Sequence, residues 1–80
     1  MRLDKFLKVS RIIKRRTVAN EACDASHVTV NGKPAKASYD VKVNDVIEIA
    51  FGSRTLRVRV RTILDSTKKA DSSEMYEVLP

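Results

Sequence analysis

Cysteine is almost missing from this chain. Cys23 stands alone among 80 residues, so no intrachain disulfide can staple the fold. Histidine is as scarce, and one histidine (His27) with one cysteine cannot build a zinc site. Two glycines, Gly32 and Gly52, leave no glycine-rich phosphate loop and little material for a catalytic cleft. There are no paired carboxylates at a readable spacing and no nucleophile, base and orienter in a set. These absences predict a non-enzymatic chain with no catalytic residue, no metal and no cofactor. No apolar run approaches the roughly 20 residues of a membrane span. The N-terminal stretch is charged and lacks the apolar segment of a secretion signal, which predicts a cytosolic location.

What is present fits one soluble domain over residues 1–80. The composition is 42% hydrophobic and 32% charged, globular rather than disordered. A chain of this size buries roughly 60–65% of its unfolded surface, so its core is small. The charge is unevenly placed. Between residues 2 and 16 lie seven basic residues, Arg2, Lys5, Lys8, Arg11, Lys14, Arg15 and Arg16, with one acid, Asp4. From Thr17 onward nine basic and nine acidic residues cancel, so the whole net charge of +6 sits at one end. A positive field gathered in this way points to a polyanion, and nucleic acid is the commonest one.

Leu3, Phe6, Leu7 and Ser10 recur at helical spacing and predict a first helix over Leu3–Val9, with Asp4, Lys5 and Lys8 on its outer face. Adjacent β-branched Ile12 and Ile13 lower helix propensity, which predicts a basic connector pinned by one of them. Thr17 reads as the N-cap of a second helix, Val18–Ala25, packed through Val18, Ala19, Ala22, Cys23 and Ala25. Asn20, Glu21 and Asp24 fall on its other side. Lys14, Arg15 and Arg16 crowd the start of that helix, where a bound phosphate would relieve their repulsion with the helix dipole. Cys23, among alanines and without a base, reads as a small core residue. His27 reads as a capping or solvent-facing residue.

The remainder alternates like strands. His27 to Val30 leads into an Asn31-Gly32 turn. Lys33 and Lys36 flank Pro34 and are candidates for a second phosphate contact. Asn44-Asp45 marks a further turn, and Val46–Phe51 is a strand closed by Gly52-Ser53. Leu56, Val58 and Val60 alternate with Arg57, Arg59 and Arg61, a half-buried strand whose arginines can pair with Glu48, Glu74 or Glu77. A polar loop follows from Asp65 to Glu74, holding Lys68 and Lys69, and Met75–Leu79 reads as a last strand. Helices followed by strands predict an α+β fold, with two short N-terminal helices packed on a small twisted antiparallel sheet.

The segments RLDKFL and HVTVNGKPAKASYDVKVNDVIEI, with the basic run before Thr17, resemble the ribosomal-protein-S-four type RNA-binding domain over about residues 1–51. The resemblance implies an RNA-binding core over 1–51 and C-terminal strands over 52–80. Ser26 and Asn44 stand where that family commonly has glycine. Over nearly the whole chain, including TKK and MYEVL near the end, the sequence is similar to the free-standing RqcP family of bacterial ribosome-associated quality control, related to the heat-shock-protein-fifteen family. That resemblance implies large-subunit ribosomal RNA, peptidyl-tRNA and an RqcH-type tailing factor as partners, with the chain acting as a monomer away from membranes. It also implies that Arg2, Arg11, Arg15 and Arg16 contact RNA. The expected function is to hold P-site peptidyl-tRNA on obstructed large subunits during C-terminal alanine tailing. The expected RNA-binding residues are Arg2, Asp4, Lys5, Lys8, Arg11, Lys14, Arg15, Arg16, Lys33 and Lys36, with Asp4 either orienting an arginine or favouring the helix N-terminus.

Other classes stay open on residues alone. One is a large-subunit recycling factor of the heat-shock-protein-fifteen type. Another is a protein-interaction module using the Arg57, Arg59 and Arg61 face. A helix-turn-helix DNA binder would need a basic recognition helix, whereas Val18–Ala25 carries Glu21 and Asp24. An RNA-modifying enzyme would need an appended catalytic domain.

Overall fold

A computed structural model describes residues 1–64 and 74–80. The predicted loop from Asp65 onward, with Lys68 and Lys69, lies outside the described residues apart from its last member, Glu74. Helix α1 spans Leu3–Val9 and α2 spans Arg16–Asp24. Strands follow at Val28–Val30 (β1), Lys33–Pro34 (β2), Val46–Phe51 (β3), Arg54–Val60 (β4) and Tyr76–Val78 (β5). They form one sheet in the order β2-β1-β3-β4-β5 with every neighbour antiparallel. The architecture is α+β, two helices and a five-stranded sheet, as the periodicities predict.

Period-two alternation explains how the sheet buries one face. Ile47 and Ile49 of β3 and Val58 and Val60 of β4 are fully buried and meet Leu3, Phe6 and Leu7 of α1 in one core. Val28 pairs with Ile49, Val30 with Ile47, and Ile47 with Val58, so the apolar register is continuous across three strands. Burying each large aliphatic or aromatic side chain contributes about 1.5–3 kcal/mol. Helix α2 adds Ala19 and Cys23, one turn apart and buried. Small side chains there let it lie close to α1. Ile13 is the residue that pins the connector, with Ile12 half-buried beside it.

The turns follow their chemistry. Asn31 and Gly32 have φ of 52° and 84°, the two positive values that a type I′ hairpin loop requires. Ser26 (φ 62°) ends α2 in the left-handed region. The Ser26 N–H donates to the Cys23 carbonyl at 3.0 Å and the His27 N–H to the Ala22 carbonyl at 2.9 Å. That pair of bonds is a Schellman motif built on serine instead of glycine. Asn44 is also left-handed, at φ 77°. The two positions where the family commonly has glycine thus keep the glycine conformation, at a cost of about 1 kcal/mol for serine and less for asparagine.

The first residues do not hang free. Leu3 N–H donates to the Tyr39 carbonyl at 2.8 Å, Asp4 N–H to the Ala37 carbonyl at 3.2 Å, and Val41 N–H to the Met1 carbonyl at 2.8 Å. Arg2 pairs with Asp40 in an isolated antiparallel bridge. The backbone that carries Arg2 is therefore held against the segment between β2 and β3.

Candidate nucleic-acid interface

Asp4 organises the basic end. The helical wheel places it outward with Lys5 and Lys8, but it is 2% exposed. The cause is tertiary: α2 packs on this side of α1 and supplies donors to the carboxylate. Arg2 Nε donates to Oδ1 at 3.2 Å and Arg2 Nη2 to Oδ2 at 3.4 Å. From α2, Arg16 Nε lies 3.4 Å from Oδ2, and Asn20 Nδ2 donates to the same oxygen at 3.2 Å. The Lys5 N–H donates to Oδ1 at 2.7 Å. Burial pushes the Asp4 carboxyl up, but these donors from Arg2, Asn20, Lys5 and Arg16 outweigh it and hold the group below its ordinary value. One buried anion thus gathers two guanidinium groups whose side chains remain about half exposed, at 51% and 47%. Arg16 is engaged through Nε, which leaves its Nη edge for a bidentate acceptor such as phosphate.

The helical wheel puts Asn20 on the outer side of α2, and nothing local in the sequence marks its part in the site. It follows Arg16 by four residues, so both reach Asp4 from one face of the helix. Val18, expected to pack inward, is 45% exposed instead, and Ala25 is the exposed C-cap residue. Thr17 is not the N-cap either. Helix α2 begins at Arg16, with Arg15 in extended conformation (φ −118°, ψ 129°) as the cap residue and no side chain capping it. Starting one residue before the expected cap brings Arg16 into helical geometry and within reach of Asp4. It also leaves uncapped N–H groups flanked by Lys14, Arg15 and Arg16, all exposed, with no acid in the first turn.

Lys8 is exposed near the end of α1 and Lys5 is half-buried on it. Arg11, exposed just past α1, has φ 64°. Its N–H donates to the Lys8 carbonyl at 3.1 Å, so an arginine occupies the left-handed exit position where glycine is usual. Nothing in the sequence marked this. Lys36 borders a hollow that is also lined by Arg2, Asn20, Asp24 and Ser26. Lys33 lies on the far side of Lys36, along a groove with Tyr39. Of the ten expected site residues, Arg2, Asp4 and Arg16 are tied together, Lys5 joins them through its backbone, and Lys36 shares the hollow with Arg2.

A second buried carboxylate holds the turns. Asp45 accepts from the Tyr39 hydroxyl at 2.8 Å, the Lys42 N–H at 2.9 Å and Asn31 Nδ2 at 3.1 Å. Asn31 Oδ1 in turn accepts from the Val46 N–H at 3.0 Å. Burial raises the Asp45 carboxyl, and the bonds from Lys42, Tyr39 and Asn31 more than reverse this. On the outer sheet face, Arg57 lies 3.5 Å from Glu48 and Arg59 is ion-paired with Glu77. Two of the three arginines of that face are thus matched by cross-strand carboxylates, the solvated arrangement that the alternation allowed. Burial, with the charges of Asp4 and Asp24, pushes the Cys23 thiol up to about 11. It is a protonated core residue at neutral pH, not a nucleophile. No helix among the described residues is long and apolar enough to cross a membrane.

The chain is similar to known proteins in sequence and in fold. The family described as S4 domain matches residues 1–47. A Streptococcus pneumoniae protein named RQC P-site tRNA stabilizing factor is 60% identical over 79 residues, covering 99% of this chain and 90% of its own. A Bacillus subtilis protein of the same name is 51% identical, covering 99% and 92%. Among solved structures, the trimeric Heat Shock Protein 15 of Vibrio cholerae superposes with a TM-score of 0.92 at 26% identity, over 99% of this chain and 81% of that one. With its family match over the helices and the first strands, and its identity to relatives covered over nine-tenths of their length, the chain belongs to the S4 domain family and groups with the proteins named RQC P-site tRNA stabilizing factor.

Proposed function

We propose that this chain is a non-enzymatic RNA-binding factor of ribosome-associated quality control. It binds obstructed large ribosomal subunits and stabilises P-site peptidyl-tRNA while an RqcH-type factor adds a C-terminal alanine tail. The observation that carries the reading is the Asp4-braced pair of Arg2 and Arg16, set in the stretch that holds the whole net charge. The name shared by relatives at 60% and 51% identity supports the P-site role. On this reading residues 1–51 form the RNA-binding core, residues 52–80 complete the sheet, and the protein works as a cytoplasmic, ribosome-associated monomer.

The mechanism is docking without bond-making chemistry. Arg2 and Arg16, pre-oriented by Asp4, take phosphate oxygens, and Lys5, Lys8, Arg11, Lys14, Arg15, Lys33 and Lys36 extend the contact. Asp4 itself acts through the arginines. Phosphate contacts fix register without reading base sequence. Selectivity then comes from RNA shape, because A-form grooves hide base edges from side chains. With about five phosphates neutralised, the log–log dependence of affinity on salt has a slope of roughly −3.5 to −4.5.

Purification of the tagged chain from cells, with sequencing of bound RNA and identification of bound proteins, tests the assignment. Large-subunit RNA, tRNA and a tailing factor are expected together. Recovery of none of the large-subunit RNA would overturn it. Recovery of large subunits lacking tRNA would move the chain to subunit recycling, the role implied by resemblance to the heat-shock-protein-fifteen family.

A further inference from the structure

Three of the four aromatic side chains serve the core. Phe6 is fully buried, and Tyr39 and Tyr76 pack against the core cluster. Phe51 does neither. It is 44% exposed and stands outside the cluster. It closes the β3–β4 hairpin opposite Arg54, which is also exposed, across the Gly52-Ser53 loop. Alternation puts Phe51 on the sheet face of Ile47 and Ile49, and its partner Arg54 on the face of Leu56 and Val58. This is the face that the helices cover. At the hairpin tip α2 has already ended, so an aromatic ring and a guanidinium overhang the core side by side.

The tip continues a row of basic groups. The Ala50 N–H donates to the His27 carbonyl at 2.8 Å, which sets the end of β3 beside the exit of α2. The Ala35 N–H donates to the Val28 carbonyl at 3.3 Å, which brings Lys36 to the same end of the sheet. Lys36 shares its hollow with Arg2. Across one end of the molecule therefore run Arg2, Lys36, His27, Phe51 and Arg54, with Asp24 as the acid lining the hollow.

We propose that the Phe51–Arg54 tip is a stacking platform for an unpaired nucleobase, with Arg54 taking the adjoining phosphate. The proposal rests on the RNA-binding reading above and adds a single-stranded site to it. An unpaired base offers a π-face that a duplex conceals, and aromatic side chains take such faces with little regard to sequence. The cations along the row favour a nucleic-acid strand over an apolar protein segment at this ring.

The test uses two RNA hairpins of one sequence, one blunt and one with a short single-stranded 3′ tail containing 2-aminopurine. Wild type is expected to bind the tailed RNA roughly 5- to 10-fold more tightly than the blunt one, with quenching of the 2-aminopurine. Phe51→Ala is expected to abolish the preference and the quenching while leaving affinity for the blunt hairpin unchanged. Phe51→Tyr is expected to retain both, which separates stacking from a change in folding. Equal affinity of wild type for the two RNAs would overturn the platform alone, as would a preference that survives in Phe51→Ala. Wild type binding neither RNA would overturn the platform together with the RNA reading beneath it.

Discussion

Asp4→Asn separates charge from geometry, because the two make opposite predictions. The substitution keeps the side-chain shape but removes the anion that Arg2, Arg16, Asn20 and the Lys5 N–H share. On charge alone, deleting an acid from a polyanion-binding surface tightens binding. If Asp4 works by presetting two arginines, binding weakens instead. Each long side chain that must be ordered on binding costs about 0.5–1.5 kcal/mol, so freeing both arginines weakens binding by about 1–3 kcal/mol, or roughly 5- to 150-fold. Folding stability falls as well. The Lys5 N–H keeps an amide oxygen to donate to, but Asn20 loses its acceptor at Oδ2 and faces an amide donor there, which costs about 1–3 kcal/mol, and the half-exposed arginine pairs add about 0–1 kcal/mol between them. The expected loss is about 2 kcal/mol, a fall of roughly 8–16 °C in Tm for a domain of this size. The assay is fluorescence anisotropy against large subunits carrying P-site tRNA, run over a salt series well below the lowered Tm. Weaker binding with an unchanged salt slope is the expected result, because the same phosphates are still met. A folded Asp4→Asn protein that binds as tightly as wild type, or more tightly, would refute the positioning role.

Further expectations follow from backbone conformation and from titration. Ser26→Gly relieves a left-handed serine and is expected to raise stability by about 0.5–1 kcal/mol without touching RNA affinity. Arg11→Gly should stabilise similarly yet weaken RNA binding, and denaturant melts with binding curves for both variants check the contrast. Asp4 and Asp45 have folded-state values below their ordinary 3.8. Their stabilisation is therefore complete above that value and is lost as the pH falls through the lower folded values. Stability measured against pH should hold level above about pH 5 and drop on the acid side. Tyr39→Phe, which removes one donor to Asp45, should make that drop shallower.

Elements whose signal is local were legible in the sequence. The bounds of α1 and β3 follow from side-chain periodicity, and the Asn31-Gly32 turn from the positive φ that those residues tolerate. The left-handed conformations of Ser26 and Asn44 were legible too, as departures from glycine in a recognisable pattern. Features that depend on distant partners were not. Asp4 reads as an outward-facing acid until Asn20, sixteen residues on, arrives from α2. The turn holding Asp45 reads as ordinary until Asn31 and Tyr39 converge on its carboxylate. Thr17 has good capping chemistry, yet contacts to Asp4 favour starting the helix at Arg16, and tertiary bonding overrides the local preference. Phe51 reads as one more apolar strand residue, because where the covering helix stops is a property of packing rather than of spacing.

The most direct test is the salt dependence of binding to tRNA-occupied large subunits, compared between wild type and the Arg2→Ala, Arg16→Ala double variant. Wild type is expected to show a slope of roughly −3.5 to −4.5, and loss of two phosphate contacts should make it shallower by about 1.4–1.8 with a large fall in affinity. A double variant that stays folded and binds with the wild-type slope and affinity would contradict the central claim that the braced arginines grip RNA.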